Sequence, residues 1–212
     1  MNNKIFNTLL ATPLLLIAIV SLPGCKFYGS EKTFYSTGEL KTQSQYKFNK
    51  LDGVNREFYK NGNVKSERIY HDGVLNGPFK DYYENGVLAG EGFVQSGKQQ
   101  GRAAIYYESG RLKVESTHKD DQANGPYREY YESGQLYKEG FLVGPYKAHS
   151  GTMKEYDTNG ILRSETTLKE GNIIASKTYD VNGQPSFEMK EGETFVHAME
   201  RTRASSESVP AK

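Results

Sequence analysis

Short runs of alternating apolar and polar residues fill most of this chain, and they break at a recurring block. Each block has an aromatic residue, then Tyr or Asp, two mostly polar residues, a glycine, and a mostly aliphatic position two further on. The blocks begin at Phe34, Phe58, Tyr82, Tyr106, Tyr130, Tyr156 and Tyr179. Their glycines are Gly38, Gly62, Gly86, Gly110, Gly134, Gly160 and Gly183, four intervals of 24 residues followed by 26 and 23. Alternation predicts strands, and a fixed period of this size predicts a repeat array built neighbour on neighbour. Such an array offers a surface for binding in place of a buried catalytic pocket.

Asn-Gly occurs at 61–62, 76–77, 85–86, 124–125, 159–160 and 182–183. Between extended runs it signals a two-residue hairpin, whose central residues both need positive φ. Each block therefore reads as strand, tight turn, strand, with a second reversal expected near Gly53, Gly77, Gly101, Gly125 and Gly151. Symmetry about Asn85-Gly86 sets Lys80 opposite Glu91, Tyr82 opposite Ala89 and Tyr83 opposite Leu88. The same symmetry sets Arg56 opposite Glu67, Arg128 opposite Glu139, Lys154 opposite Glu165 and Lys177 opposite Glu188. Five of seven repeats thus place a cation against Glu at one register; Lys32–Gln43 and Ala104–Glu115 are the exceptions.

Two faces follow. Tyr35, Tyr59, Tyr83, Tyr107 and Tyr131, with their aliphatic partners, are expected on the better-buried one. Asp157 and Asp180 take the tyrosine's place in the last two repeats. The other face carries the charge pairs and an aromatic ladder, from which Tyr82, Tyr106, Tyr130 and Tyr156 are the candidate binding residues. The added length around Gly144-Pro145 predicts a bent connection.

Composition supports an ordered array. Mean hydropathy is only -0.72, but 16 Tyr and 10 Phe are too many for a disordered chain. A net charge of +1 argues against nucleic acid as a partner. The first residues differ from the rest. Lys4 precedes a mostly apolar run from Ile5 to Val20, which reads as an export signal. Leu22-Pro23-Gly24-Cys25 resembles the lipobox of bacterial lipoproteins. That resemblance implies cleavage before Cys25 and acylation of this cysteine, the only one in the chain. The expected organisation is a signal peptide over 1–24, a lipidated linker over 25–30, a repeat array over 31–197 and a disordered tail over 198–212. The expected location is the bacterial cell envelope, at the outer membrane where there are two membranes.

The block Tyr82-Tyr83-Glu84-Asn85-Gly86-Val87-Leu88 with Glu91, and the turn at Gly125-Pro126-Tyr127, resemble the bacterial MORN-repeat variant, in proteins of the YwqK-type antitoxin family. The resemblance covers roughly residues 31 to 190. It implies an all-β array of antiparallel hairpins in one elongated, twisted, single-layer meander sheet, with no catalytic residues and no cofactor. His71, His118, His149 and His197 lack metal-ligand spacing, and neither a phosphate loop nor a kinase or hydrolase motif is present.

The expected function is a non-enzymatic, membrane-anchored interaction module. It would be held by lipid on Cys25 and would dock a protein partner. One alternative is an antitoxin or immunity protein that covers a toxin; another is a cell-wall or glycan binder. Edge-to-edge self-association is a further expectation, because an open sheet exposes edge strands.

Overall fold

The computed structural model describes residues 28–145 and 149–207. The chain is an antiparallel meander. Its strands are β1 (Tyr28–Phe34), β2 (Leu40–Lys47), β3 (Lys50–Leu51), β4 (Gly53–Phe58), β5 (Val64–His71), β6 (Val74–Tyr82), β7 (Leu88–Gln95) and β8 (Lys98–Tyr106). They continue as β9 (Leu112–Lys119), β10 (Gln122–Tyr130), β11 (Leu136–Gly144), β12 (Ser150–Tyr156), β13 (Leu162–Lys169), β14 (Asn172–Tyr179) and β15 (Pro185–Met189). One helix, α1 (Phe195–Glu207), follows. All fifteen strands form one sheet, with fourteen in sequence order and the short β3 beside β2. At ~4.8 Å per strand, the path runs on the order of 60 Å. The all-β hairpin array expected from the sequence is therefore the fold.

The turns depart from expectation in an ordered way. In the third block the Gly86 N–H donates to the Tyr83 carbonyl at 2.9 Å, and the Tyr83 N–H donates to the Val87 carbonyl at 2.8 Å. Gly86 has φ of +86°. This is a three-residue loop, a type I turn closed by a left-handed glycine. All seven blocks repeat it. Tyr82 consequently pairs with Leu88, not Ala89, and Tyr83 belongs to the turn and does not pair with Leu88. A bulge then follows between Asp81 and Tyr82. The one-residue offset of the turn and the extra residue of the bulge cancel. Lys80 still lies opposite Glu91, and Arg56–Glu67, Arg128–Glu139, Lys154–Glu165 and Lys177–Glu188 pair as the sequence predicts.

The two-residue turns lie at the other ends of the strands. Phe48-Asn49, Asp72-Gly73, Ser96-Gly97, Asp120-Asp121 and Glu170-Gly171 have positive φ at both positions, with 50° and 84° at Asp72-Gly73. The reversals thus come several residues before Gly53, Gly77, Gly101 and Gly125, and the chain likewise reverses before Gly151, between the end of β11 at Gly144 and the start of β12 at Ser150. Glu170-Gly171 makes the next one, between β13 and β14. Gly53, Gly77, Gly101, Gly125 and Gly151 are strand residues. Around Gly77 five residues of β6, Leu75 to Phe79, span what three residues, Arg68 to Tyr70, span on β5. Gly101 and Gly125 sit in similar irregularities. A bulge leaves ladder positions unpaired, which is where Pro78 and Pro126 are tolerated.

Little of the molecule is enclosed. Among the described residues, Val94, Ala104, Leu142 and Ala198 are the buried apolar ones. Val94 and Leu142 lie on the face opposite the charge pairs. There large residues alternate with small ones across the strands, as in Phe79–Gly92 and Tyr127–Gly140–Met153. A Cβ on Gly92 would stand 2.7 Å from the Phe79 ring. Neither tyrosine set is better buried; both are half-buried. The disordered tail expected over 198–212 is corrected for 198–207, which continue α1. Residues 208–212 lie outside the described residues. So do the expected signal peptide and Cys25.

Candidate binding face

The paired registers join into one row that crosses the whole sheet. Strand by strand it runs Lys32, Gln43, Arg56, Glu67, Lys80, Glu91 and Ala104, then Glu115, Arg128, Glu139, Lys154, Glu165, Lys177 and Glu188. Directly opposite residues share a face, so this row is one line of alternating charge, interrupted at Gln43 and Ala104. It closes into ion pairs at Arg56–Glu67 (2.6 Å) and Lys154–Glu165 (3.3 Å). Where Ala104 removes a cation, Arg102 replaces it from two residues along the same strand. Its Nε lies 3.2 Å from Glu115, which Arg128 also approaches to 3.2 Å. The sequence marked Ala104 as an exception; it could not show that Arg102 fills the gap.

Tyr82, Tyr106, Tyr130 and Tyr156 stand two residues beyond the row on their strands, on the same face. The Tyr106 hydroxyl donates to Glu91 (2.8 Å), Tyr130 to Glu115 (3.2 Å), Tyr156 to Glu139 (2.8 Å) and Tyr179 to Glu165 (2.6 Å). Each glutamate lies on the preceding strand, so each bond is a diagonal latch between strands. The structure brings the candidate tyrosines into one line. It also engages three of the four hydroxyls internally and leaves the ring faces as the half-exposed element.

The electrostatics follow from these latches. Desolvation, with the bond to Glu139, pushes the Tyr156 phenol up to about 12. Desolvation followed by the neighbouring glutamate raises Tyr106 and Tyr130. Desolvation works to raise Glu115, but bonds from Arg128, Arg102 and Tyr130 outweigh it and hold the carboxyl below its ordinary value. Glu165 is lowered chiefly by the Tyr179 bond.

The second tyrosine of each block has a different task. Tyr35, Tyr59, Tyr83, Tyr107 and Tyr131 donate their hydroxyls to the backbone carbonyls of Phe58, Tyr82, Tyr106, Tyr130 and Tyr156, at 2.6 to 2.9 Å. Each staple fixes one repeat's turn to the first aromatic residue of the next. Sequence spacing could not reveal this, because the acceptor is main chain.

Among the described residues the charged groups of this face recur evenly from repeat to repeat. Among the described residues no group of three or more His, Cys, Asp or Glu could hold a metal ion. What remains is a long repeated face. The MORN repeat variant family model matches residues 27–48, 51–72, 75–95, 99–120, 123–143 and 150–170, more than half of the chain.

The chain belongs to the MORN repeat variant family.

Each matched segment spans one hairpin, two strands with the three-residue turn between them, from β1 and β2 to β12 and β13, and the two-residue turns fall at the segment boundaries. MORN repeats generally serve as interaction modules for proteins and membranes, and the family is not an enzyme family. No curated protein matches the chain.

Proposed function

We propose that this MORN-repeat chain is a non-enzymatic scaffold of the bacterial cell envelope, anchored by lipid on Cys25. It would capture a protein partner on the charged, tyrosine-lined face. The observation that carries the reading is the row from Lys32 to Glu188, alternating in sign on either side of Ala104, with Tyr82, Tyr106, Tyr130 and Tyr156 beside it. A row of alternating sign fixes a partner's register, while aromatic ring faces supply contact area at low entropy cost. The Leu22-Pro23-Gly24-Cys25 sequence supports the anchor, and two or more acyl chains give stable membrane attachment.

Two experiments test the halves of this reading. Membrane fractionation with mass analysis of the N-terminal peptide should find wild type beginning at an acylated Cys25. Cys25→Ala should lose both the lipid and the membrane fraction; an unprocessed wild-type chain refutes the anchor. Capture from envelope extract is then compared for Tyr106→Phe/Tyr130→Phe and Tyr106→Leu/Tyr130→Leu. Both pairs lose the latches, but only the first keeps the rings. Capture retained by Phe and lost by Leu, at matched stability, supports docking on the ring faces. Equal capture by wild type and both variants rules that surface out.

A further inference from the structure

The two ends of the sheet are finished differently. At the C-terminal end α1 packs against β15. Phe195 stacks at 5.5 Å from Phe187, and Arg201 donates to the Glu188 backbone carbonyl at 2.6 Å while pairing with Glu193 at 3.1 Å. Ala198, a residue of the helix, is fully buried. A carbonyl of the edge strand is thus taken by a side chain, and the strand is screened. At the N-terminal end, β1 pairs with β2, and among the described residues no strand or helix covers its other edge. Hydrogen-bonded and non-hydrogen-bonded positions alternate along an antiparallel pair. Every second residue of β1 therefore turns its N–H and C=O outward.

We infer that β1 is the interface of a closed, two-fold symmetric dimer, in which the β1 strands of two copies pair antiparallel and join two arrays head to head. The occupant of the edge is a second copy because the strand complements itself. Centred on Glu31, full overlap of Tyr28–Phe34 sets Tyr28 opposite the other copy's Phe34, Ser30 opposite Lys32 and Gly29 opposite Thr33. A perpendicular two-fold axis keeps opposed residues on one face. Tyr28 and Phe34 are the large exposed side chains at the two ends of this strand, at 72% and 58% exposure. Dimerisation covers each with the other, twice. Glu31 meets its own copy at the centre, and opposed like charges weaken a sheet pair; the dimer is accordingly reversible. Because α1 screens the other end, pairing stops at two copies, as an isologous contact requires. It does not run on into a filament.

Sedimentation and mild-oxidation cross-linking test this on the full chain with Cys25→Ala, in mild detergent, so that any engineered cysteine is the sole thiol. The expected result is a monomer–dimer equilibrium with no larger species. Ser30→Glu creates two new pairs with Lys32 and should tighten it roughly tenfold; Ser30→Lys should weaken it by a similar factor. Glu31→Cys should form a disulfide-linked dimer, whereas Ser186→Cys, exposed on β15, should not. A monomer at all concentrations, a dimer indifferent to both Ser30 variants, or equal cross-linking from positions 31 and 186 each overturns the inference. So do assemblies that grow beyond two copies.

Discussion

The first five repeats and the last two solve the same problem with different chemistry. In the first five, a tyrosine hydroxyl reaches forward to a carbonyl of the next repeat. In the sixth, Asp157 stands where that tyrosine would be. Its carboxylate accepts the Asn159 and Ile161 N–H groups at 2.8 and 3.0 Å, which stiffens its own turn. It also holds Arg163 at 2.5 Å, and Arg163 donates onward to the Asp180 carbonyl. A two-residue clamp has replaced one phenol. The comparison teaches that neighbouring repeats are joined by a side chain reaching a backbone carbonyl of the next turn, at its first position from a tyrosine and at its second, Asp180, from Arg163. The sequence suggested that Asp157 and Asp180 were polar because no neighbour covers a terminal repeat. At Asp157 that is replaced by a specific role.

The sharpest way to break the comparison is at the seam between the two regions, where β11 meets β12. A Cβ on Gly140 would stand 2.0 Å from the Thr152 carbonyl oxygen, and one on Gly151 would stand 1.9 Å from that of Phe141. Both obstacles are backbone, so neither can swing aside. Gly140→Ala should cost on the order of 3 kcal/mol, measured by denaturant unfolding, and should uncouple the regions into two transitions. Gly29→Ala, with open space around it, is the control and should change little.

Smaller effects are expected within each region. Tyr83→Phe or Tyr107→Phe should each cost about 1 kcal/mol, the net value of one hydrogen bond. Hydrogen exchange should rise locally, at the turn and at the first aromatic residue of the next repeat. In the other region, Arg163→Ala should lower the melting temperature by removing the side-chain link to the Asp180 carbonyl, which then keeps only the Gly183 N–H of its own turn. Asp157→Tyr/Arg163→Lys, which rebuilds the Tyr107–Lys113 arrangement, should recover most of the loss. Failure of this exchange would mean that the two regions are not interchangeable. On the charged row, Lys80→Glu opposes like charges on both sides and should cost about 1 kcal/mol, with partial recovery at high salt.

The smallest effect is in the pH dependence. Glu115 and Glu165 titrate below their ordinary values when folded. Their contribution to stability is therefore present above the ordinary carboxylate range and is lost as pH falls through the depressed folded values. Tyr156 behaves in the opposite sense. Its folded pKa lies above the unfolded value, so its contribution is complete below about pH 10 and disappears as pH rises through about 12. Ultraviolet titration of tyrosinate, comparing wild type with Tyr156→Phe, should show the last-ionising phenol removed.

The charged row was legible because pairing by symmetry about Asn-Gly survives two errors that cancel. The turn is one residue different from the two-residue form, and the bulge beside it restores the count. The turn class itself was not legible, since Asn-Gly serves both turn types and φ decides between them. Gly77 and Gly125 misled because a glycine inside a bulge and a glycine inside a turn look alike in sequence, particularly before Pro78 and Pro126. The true reversals share no single motif; Phe48-Asn49, Asp72-Gly73, Ser96-Gly97 and Asp120-Asp121 are linked by a 24-residue spacing, which is the signal that could have found them. The helix was hidden because its polar, small-residue composition resembles a tail. Its folding depends on Phe195 and Ala198 meeting β15, a contact that no local pattern encodes.

The cancelling turn and bulge have a consequence for how such a chain can change length. Every repeat takes in two strands and returns the chain to the same starting phase, so it behaves like a unit cell. Duplicating or deleting one whole repeat leaves every other side chain on its original face. Losing a single residue from a turn would invert all that follows within that hairpin. Growth by whole units is nearly silent to the fold, while the span of the array changes by a fixed step. Natural variation can therefore tune this molecule as a ruler is cut, in graduations two strands wide.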